Sequence, residues 1–217
     1  MITLDVAGLS KVAVLGAHFA DIAIGVGGTL LAITSARPGI QVRACVLSGA
    51  DSRRELEERH ALAALCPGAD LELTMLDVPD GHAYAYWDPV KTAVEAFRRN
   101  YSPDAVFVPQ RADQDHRLLG DMAPTIFGDH LILGYEIPKT PADSIRTVVY
   151  HPLTRAVAEE KARLLLKHYE SQTADDWFDE DTFLSLSRLQ GVHCRRPHAE
   201  AFELERATLR FRIDRHD

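Results

Sequence analysis

The sequence predicts one α/β domain over residues 1–217, built on a mostly parallel sheet flanked by helices. Its 217 residues are 46% hydrophobic and 26% charged, which is enough for one sizeable core. In the first hundred residues, short β-branched runs alternate with longer helical patterns, as is typical of parallel βαβ units. No repeat, low-complexity tract or linker marks a domain boundary.

The elements are predicted from hydrophobic period and turn signals. Amphipathic stretches favour helices, and Pro67 with Gly68 closes one of them. Strands are predicted from short apolar runs bounded by turn residues, at Lys11–Leu15, Gln41–Leu47, Leu71–Leu76, Asp104–Val108, Leu131–Ile137 and Thr147–Tyr150. Helices are predicted at Gly27–Ala36, Ser52–Leu65, Pro89–Arg99 and Thr154–His168.

The overall charge and composition limit the class of partner. A net charge of −8 and a pI near 5.7 argue against nucleic acid, which needs clustered lysine and arginine. We expect a small-molecule or neutral glycan partner, and a homo-oligomer stays possible. No stretch reaches the roughly 20 apolar residues of a membrane span, and no signal peptide is evident. Three separated cysteines without CxxC spacing favour a reducing, cytoplasmic location.

Two polar loops follow predicted strands and carry metal-type ligands. His18 and Asp21 come just after the first strand, and His116 lies in the polar run Pro109–Arg117 after the fourth. Parallel strands bring such loops together at their carboxyl ends. Two histidines and one carboxylate suit zinc, although iron, cobalt or nickel would also fit. The spacing alone is weakly specific, because His and Asp three residues apart also occur in helix caps and solvated loops.

Several motifs, in order along the chain, resemble the PIG-L family of zinc-dependent N-deacetylases, also called LmbE-like. The matching segments are His18–Leu30, Asp113–Arg117, Asp129–Leu133, Tyr135–Lys139, Tyr169–Gln172, Trp177–Phe178 and Ala199–Phe202. The resemblance implies a Rossmann-like, doubly wound fold. It also implies hydrolysis of an N-acetylglucosamine-type amide to a free amine and acetate.

The resemblance implies that His18, Asp21 and His116 hold the zinc. The family's opening motif is His, X, Asp, Asp, and its first aspartate acts as the general base. That position falls on Ala20, which has no proton acceptor. Loss of a positioned base typically removes about 10²- to 10⁴-fold of rate.

Three explanations for Ala20 compete: an engineered substrate trap, a natural pseudoenzyme, and a base relocated to Asp113 or Asp115. Retention of all three ligands favours the first. A non-catalytic glycan or metabolite binder of the same fold is the alternative function. A nucleotide-binding module is the weaker hypothesis, because the Gly25–Gly28 segment lacks the full GxGxxG fingerprint. Its glycines instead favour close packing of the loop and helix.

A second departure lies at Asp113, where the family usually has a histidine that helps to stabilise the transition state. Another donor is then needed, with His82, Tyr84, His130 and His198 as candidates. His82, His130 and His198 are also our candidates for substrate binding.

Two further residues are candidate substrate contacts. Asp80 matches a family loop whose aspartate contacts sugar hydroxyls, although a turn residue before glycine is an equal explanation. Arg54, near the family's Arg, X, X, Glu pattern, is either a substrate contact or part of a solvated helix face.

Overall fold

The computed structural model describes residues 3, 6, 8–50, 52–110, 113–138 and 147–208. Its strands are β1 Lys11–Gly16, β2 Gln41–Val46, β3 Asp70–Met75, β4 Ala105–Pro109, β5 Leu131–Tyr135, β6 Val149–Leu153 and β7 His198–Arg206. Its helices are α1 Asp21–Ala36, α2 Arg53–Leu65, α3 Trp87–Asn100, α4 Gln114–Ile126, α5 Arg155–His168 and α6 Glu180–Cys194. Two short 3-10 helices span Ala83–Tyr86 and Glu170–Gln172.

The strands form one seven-stranded sheet in the order β3-β2-β1-β4-β5-β7-β6. The first five are parallel, and β7 runs antiparallel between β5 and β6. From β1, the chain proceeds outward to β2 and β3, and then returns to place β4 on the other side of β1. The strand order therefore reverses between β1 and β4, which is the position where open α/β sheets bind ligands.

Helices cover both faces of the sheet, so the predicted doubly wound architecture is confirmed. Helices α1, α2 and α5 pack against one another over one apolar cluster, which includes Ile22, Leu62 and Leu165. Helices α3 and α4 cover a second cluster, which includes Val90 and Leu118. No described helix is long and apolar enough to cross a membrane.

The glycines of α1 leave room for a buried ion pair to pack against the backbone of the helix. Glu200 of β7 accepts hydrogen bonds from the amides of Gly28 and Thr29, at 2.8 and 2.7 Å. Lys161 Nζ lies 2.6 Å from Glu200 Oε1 and donates to the carbonyl of Ile24. A Cβ atom at Gly28 would lie 2.6 Å from Leu153 and 3.0 Å from Glu200. This agrees with the close-packing interpretation of the glycines.

Several predicted boundaries are wrong for physical reasons. Helix α1 begins at Asp21 rather than Gly27, because tertiary packing overrides the low helix propensity of its glycines. The polar run Pro109–Arg117 is only partly a loop, since α4 begins at Gln114. Strand β6 continues through Pro152, which a sheet edge tolerates.

The sequence patterns do not predict helix α6 or strand β7. Arg111, Ala112 and Lys139 lie outside the described residues.

Candidate metal centre

The loop after β1 supplies the first two predicted ligands. We call residues 17–21 the metal loop. Asp21 is the first residue of α1, and its Oδ2 accepts hydrogen bonds from the amides of Ala17 at 3.1 Å and His18 at 2.7 Å. These bonds turn the loop back on the helix N-terminus, where a negative charge is also favoured by the helix dipole. The His18 and Asp21 side chains are thereby fixed at the carboxyl end of β1.

The N-terminus of α4 carries the third predicted ligand, His116. Asp113 caps this helix, with its Oδ1 accepting hydrogen bonds from the amides of Asp115 at 2.8 Å and His116 at 2.9 Å. The cap fixes the first turn, in which His116 is 3% exposed. The imidazole of His116 therefore enters the interior from the β4 side of the switch point.

The two loops converge. His116 Nε2 lies 3.0 Å from Asp21 Oδ2, His18 Nδ1 lies 3.6 Å from the same oxygen, and the two imidazole rings are 5.1 Å apart. Ligand atoms about 2.1 Å from a tetrahedral ion lie about 3.4 Å apart. Each imidazole therefore lies at about this distance from Asp21 Oδ2, but among the described residues the group of three ligand atoms that includes both histidines and comes within 4.8 Å of one another belongs to His18, Asp113 and His116. His116 Nδ1 is buried without a hydrogen-bond partner and lies 3.3 Å from Asp113 Oδ2. Asp113 is thus the carboxylate that completes the compact group with the two histidines, and Asp21 borders that group through its contact with His116 Nε2.

The other edge of the His18 ring faces two further acids. His18 Nε2 lies 3.1 Å from Asp80 Oδ1 and 3.4 Å from Asp115 Oδ2. Both oxygens of Asp115 accept backbone amide hydrogen bonds, from Gly81 at 2.8 Å and Ala83 at 3.1 Å. Asp115 therefore ties the loop after β3 to α4, and its lone pairs are largely committed.

The charges of the cluster shift its protonation. Burial alone would lower the pKa of His18. The hydrogen bond and charge of Asp21 outweigh burial, and Asp80 and Asp113 add to them, so that its pKa rises to about 9. Burial alone would raise the pKa of Asp21, but His116 and His18 hold it well below its usual range. The cluster thus attracts a proton strongly, as expected of a group of ligands for a cation.

Ala20 has an unusual backbone and an unexpected partner. Its φ of 70° is left-handed, and its amide donates to Glu58 Oε2 at 2.7 Å. The hydroxyl of Tyr169 donates to the same oxygen at 2.8 Å. Burial raises the pKa of Glu58 to about 7, against the lowering effect of these two bonds. Sequence reasoning missed Glu58, because its position in a charged helix gives no sign of burial.

The predicted substrate contacts are found in different places. Asp80 and His82 are exposed beside the cluster. Arg54 lies over the Phe19 ring, 4.4 Å from its centroid. His198 bonds to Ser187 of α6 at 3.0 Å. His130 directly precedes β5 and so lies at the amino edge of the sheet, opposite the cluster. The prediction that His130 binds substrate or donates to the oxyanion is therefore wrong.

The fold and this cluster define a class: a doubly wound α/β protein with a candidate metal centre at its topological switch point. The chain belongs to the PIG-L family, whose model, described as GlcNAc-PI de-N-acetylase, matches residues 13–127. The matched segment contains both polar loops. A comparison with curated proteins gives no significant match.

Solved structures share the fold at low sequence identity. N,N'-diacetylchitobiose deacetylase from Pyrococcus horikoshii is 20% identical, with a TM-score of 0.70 over 91% of this chain and 84% of that one. The zinc-inhibited form of teicoplanin deacetylase Orf2 is 12% identical, with a TM-score of 0.68 over 88% and 96%. The hydratase GalB from Pseudomonas putida KT2440 is 15% identical, with a TM-score of 0.73 over 94% and 99%. Because this fold hosts both reactions, it does not by itself specify the chemistry.

Proposed function

We propose that the protein is a metal-dependent N-deacetylase that hydrolyses the acetamide of an N-acetylated amino sugar to a free amine and acetate. The substrate would be a glycoside, a sugar nucleotide or a natural-product sugar. The observation that carries the proposal is the convergence of His18, Asp21 and His116 at the switch point. Family membership supports the reaction class. Three free cysteines fit the proposed cytoplasmic location.

His18, Asp21 and His116 would hold the divalent metal, with zinc the first choice. The pairing of both imidazoles with Asp21 Oδ2, through His116 Nε2 and His18 Nδ1, supports this ligand set. The buried His116 Nδ1 has no hydrogen-bond partner and faces Asp113, so the compact group of His18, Asp113 and His116 also fits a cation. When bound, the metal would polarise the acetyl carbonyl and lower the pKa of the attacking water. Asp21 Oδ2 also accepts hydrogen bonds from two amides of the metal loop, and these bonds orient its carboxylate towards the site.

A proton acceptor is needed because Ala20 supplies none. We propose Asp113 for this role. Its Oδ1 is committed to the helix cap, whereas its Oδ2 faces both imidazole rings, 3.3 Å from His116 Nδ1 and 4.0 Å from His18 Nδ1. Asp115 is less suitable, because both of its oxygens accept amide hydrogen bonds.

In the proposed reaction, the oxygen of the attacking water bonds to the acetyl carbon while Asp113 Oδ2 takes one of the water's two protons. Asp113 then passes this proton to the amide nitrogen as the carbon–nitrogen bond breaks, and the acetic acid formed loses the second water proton to solvent, which leaves acetate and the free amine. Asp80, with a side chain 59% exposed beside His18, would accept a hydrogen bond from a sugar hydroxyl. Arg54 and His82 are exposed candidates for the remainder of the sugar.

The test is acetate release from a panel of N-acetyl amino sugars, with zinc added or removed by chelation. We expect zinc-dependent release, and a fall of about 10²- to 10⁴-fold in kcat for Asp113→Asn. If zinc affinity fell in parallel with kcat, Asp113 would be a ligand rather than the base. Absence of turnover in both the unmodified chain and Ala20→Asp would contradict the deacetylase proposal.

A non-catalytic binder is the second candidate. It is favoured by one observation: the side chain in the position of the family's base is a buried methyl group, 1% exposed. This alternative requires saturable binding of an N-acetyl amino sugar without hydrolysis, even after Ala20→Asp. A gain in acetate release by that variant would exclude it.

A further inference from the structure

Glu58 is a buried acid outside the proposed chemistry. It lies in α2 and is fully buried, with 0% of its surface exposed. Its Oε2 accepts two hydrogen bonds, from the Ala20 amide and the Tyr169 hydroxyl, while its Oε1 is buried without a hydrogen-bond partner. A carboxylate in such surroundings is costly, so the bonds at Oε2 must compensate for lost water.

The partner of Glu58 is the strained residue of the metal loop. Left-handed backbone is unfavourable for any residue with a Cβ atom, and Ala20 has no side chain with which to cap α1. Its carbonyl accepts the Ile24 amide of α1 at 2.9 Å, and its amide is held by Glu58. The Ala20 peptide groups are therefore fixed at both ends.

The position of Ala20 makes this constraint matter for the metal centre. It lies between His18 and Asp21, so its torsion angles set the relative direction of the two side chains. Helix α2 contacts the metal loop at a second point, one helical turn before Glu58, where the Arg54 guanidinium lies over the Phe19 ring. The Tyr169 ring also lies 6.3 Å from the Phe19 ring.

We infer that Glu58 is a positioning residue, which clamps the Ala20 amide and so holds His18 and Asp21 in the geometry that binds the metal. This inference rests on the metal site of the proposed function. It extends that site to a third segment of the chain, 38 residues from Ala20 in sequence. Groups that orient metal ligands typically change metal affinity by about 10- to 100-fold when they are lost.

The test compares Glu58→Met with Glu58→Gln in the full chain. Methionine keeps an unbranched side chain but removes the acceptor, whereas the glutamine carbonyl can still accept from the Ala20 amide. We expect the zinc dissociation constant, measured by competition with a chromophoric chelator, to rise about 10-fold or more in Glu58→Met. Rescue by Glu58→Gln to within about threefold would identify the acceptor as the reason.

Glu57 provides a matched control. It is the adjacent buried glutamate of α2, but its carboxylate bonds to the amide and hydroxyl of Ser171 rather than to the metal loop. Glu57→Met should therefore leave zinc affinity within about twofold. An equal loss of affinity in Glu57→Met, or unchanged affinity in a folded Glu58→Met, would overturn the inference.

A second measurement separates this inference from the metal proposal. Hydrogen exchange at the Ala20 amide in the metal-free protein should accelerate in Glu58→Met and not in Glu57→Met. If the unmodified chain bound no zinc, the proposed function would fail, and this exchange result alone would decide whether the clamp exists. If Glu58→Met did not fold, Tyr169→Phe would replace it. This variant removes one of the two hydrogen bonds at Glu58 Oε2, so we expect a smaller rise of about threefold in the zinc dissociation constant. An unchanged dissociation constant would count against the clamp.

Discussion

Two polar regions of this molecule, one buried and one open to solvent at one edge, use charge in opposite ways. In the interior, Lys161 and Glu200 neutralise each other, and their remaining bonds go to backbone groups of α1. At the switch point, two imidazoles face four carboxylates, from Asp21, Asp80, Asp113 and Asp115. The first region is complete without a ligand, whereas the second has a surplus of negative charge. Zinc binding should therefore depend on the second region, whereas substitutions in the first should lower stability without lowering zinc affinity.

The largest expected effect is functional. His116→Ala removes one of the two imidazoles and should reduce acetate release by about 10⁴-fold, equal to about 5 kcal/mol of activation free energy. Zinc affinity should fall more than about 100-fold, beyond the usual loss for an indirect partner. The free energy of unfolding of the metal-free protein should change far less. A large loss of stability with unchanged zinc affinity would reverse the assignment of the two regions.

The next effect concerns the ion pair. Lys161→Met leaves the Glu200 carboxylate buried without its cation and should lower the free energy of unfolding by about 3–5 kcal/mol. The double variant Lys161→Met with Glu200→Gln should recover part of this loss, because the uncompensated charge is removed. Denaturant unfolding of the three proteins measures the difference. Zinc affinity of the folded variants should stay within a few-fold, and a parallel loss of affinity would show that the two regions are coupled.

A pH titration sharpens the comparison further. In the metal-free protein, the folded pKa of His18, about 9, lies above its ordinary value of 6.5. The proton on His18 therefore stabilises the fold fully below pH 6.5, and this contribution, up to about 3 kcal/mol, is lost as the pH rises through 9. Unfolding experiments with chelator should show the decline. Added zinc should remove it, because the cation takes the place of the proton, and a flat profile with chelator would contradict the charge surplus.

The smallest effect is expected at the exposed edge of the cluster. Asp80→Asn removes an acid whose side chain is 59% exposed, so solvent already screens its charge. Zinc affinity should fall by less than about threefold. The Michaelis constant for an amino sugar should rise if Asp80 bonds a hydroxyl, and steady-state kinetics will show whether it does. A loss of affinity as large as that of His116→Ala would place Asp80 among the ligands.

The sequence predicted the sheet and the convergence of its two polar loops because both depend on local signals. Apolar runs located β1 and β4, and the polar residues after them had to meet at the carboxyl edge of a parallel sheet. The cap of α4 had a local signal too, since Asp113 precedes a helix with polar residues in its first turn. The polar composition of that stretch nevertheless predicts a loop, and the cap that fixes His116 is seen only in the structure.

Other features depended on contacts that no local pattern contains. Glu58 meets Ala20 only because α2 packs beside the metal loop, and Glu200 meets Gly28 across 172 residues of sequence. His130 was misplaced for a related reason. Sequence order places His130 at the amino end of its strand, but which edge of the sheet that end adjoins depends on whether the strand runs parallel to its neighbours, as β5 does to β4.

The left-handed turn at Ala20 has a consequence for what this position can accept. Bulky β-branched residues are nearly excluded from such a conformation, whereas glycine, asparagine and aspartate adopt it with the least strain. The backbone is thus already shaped for an acid, although the side chain present is a methyl group. Placing a carboxylate here would require no remodelling of the main chain, only room for the oxygens beside Glu58.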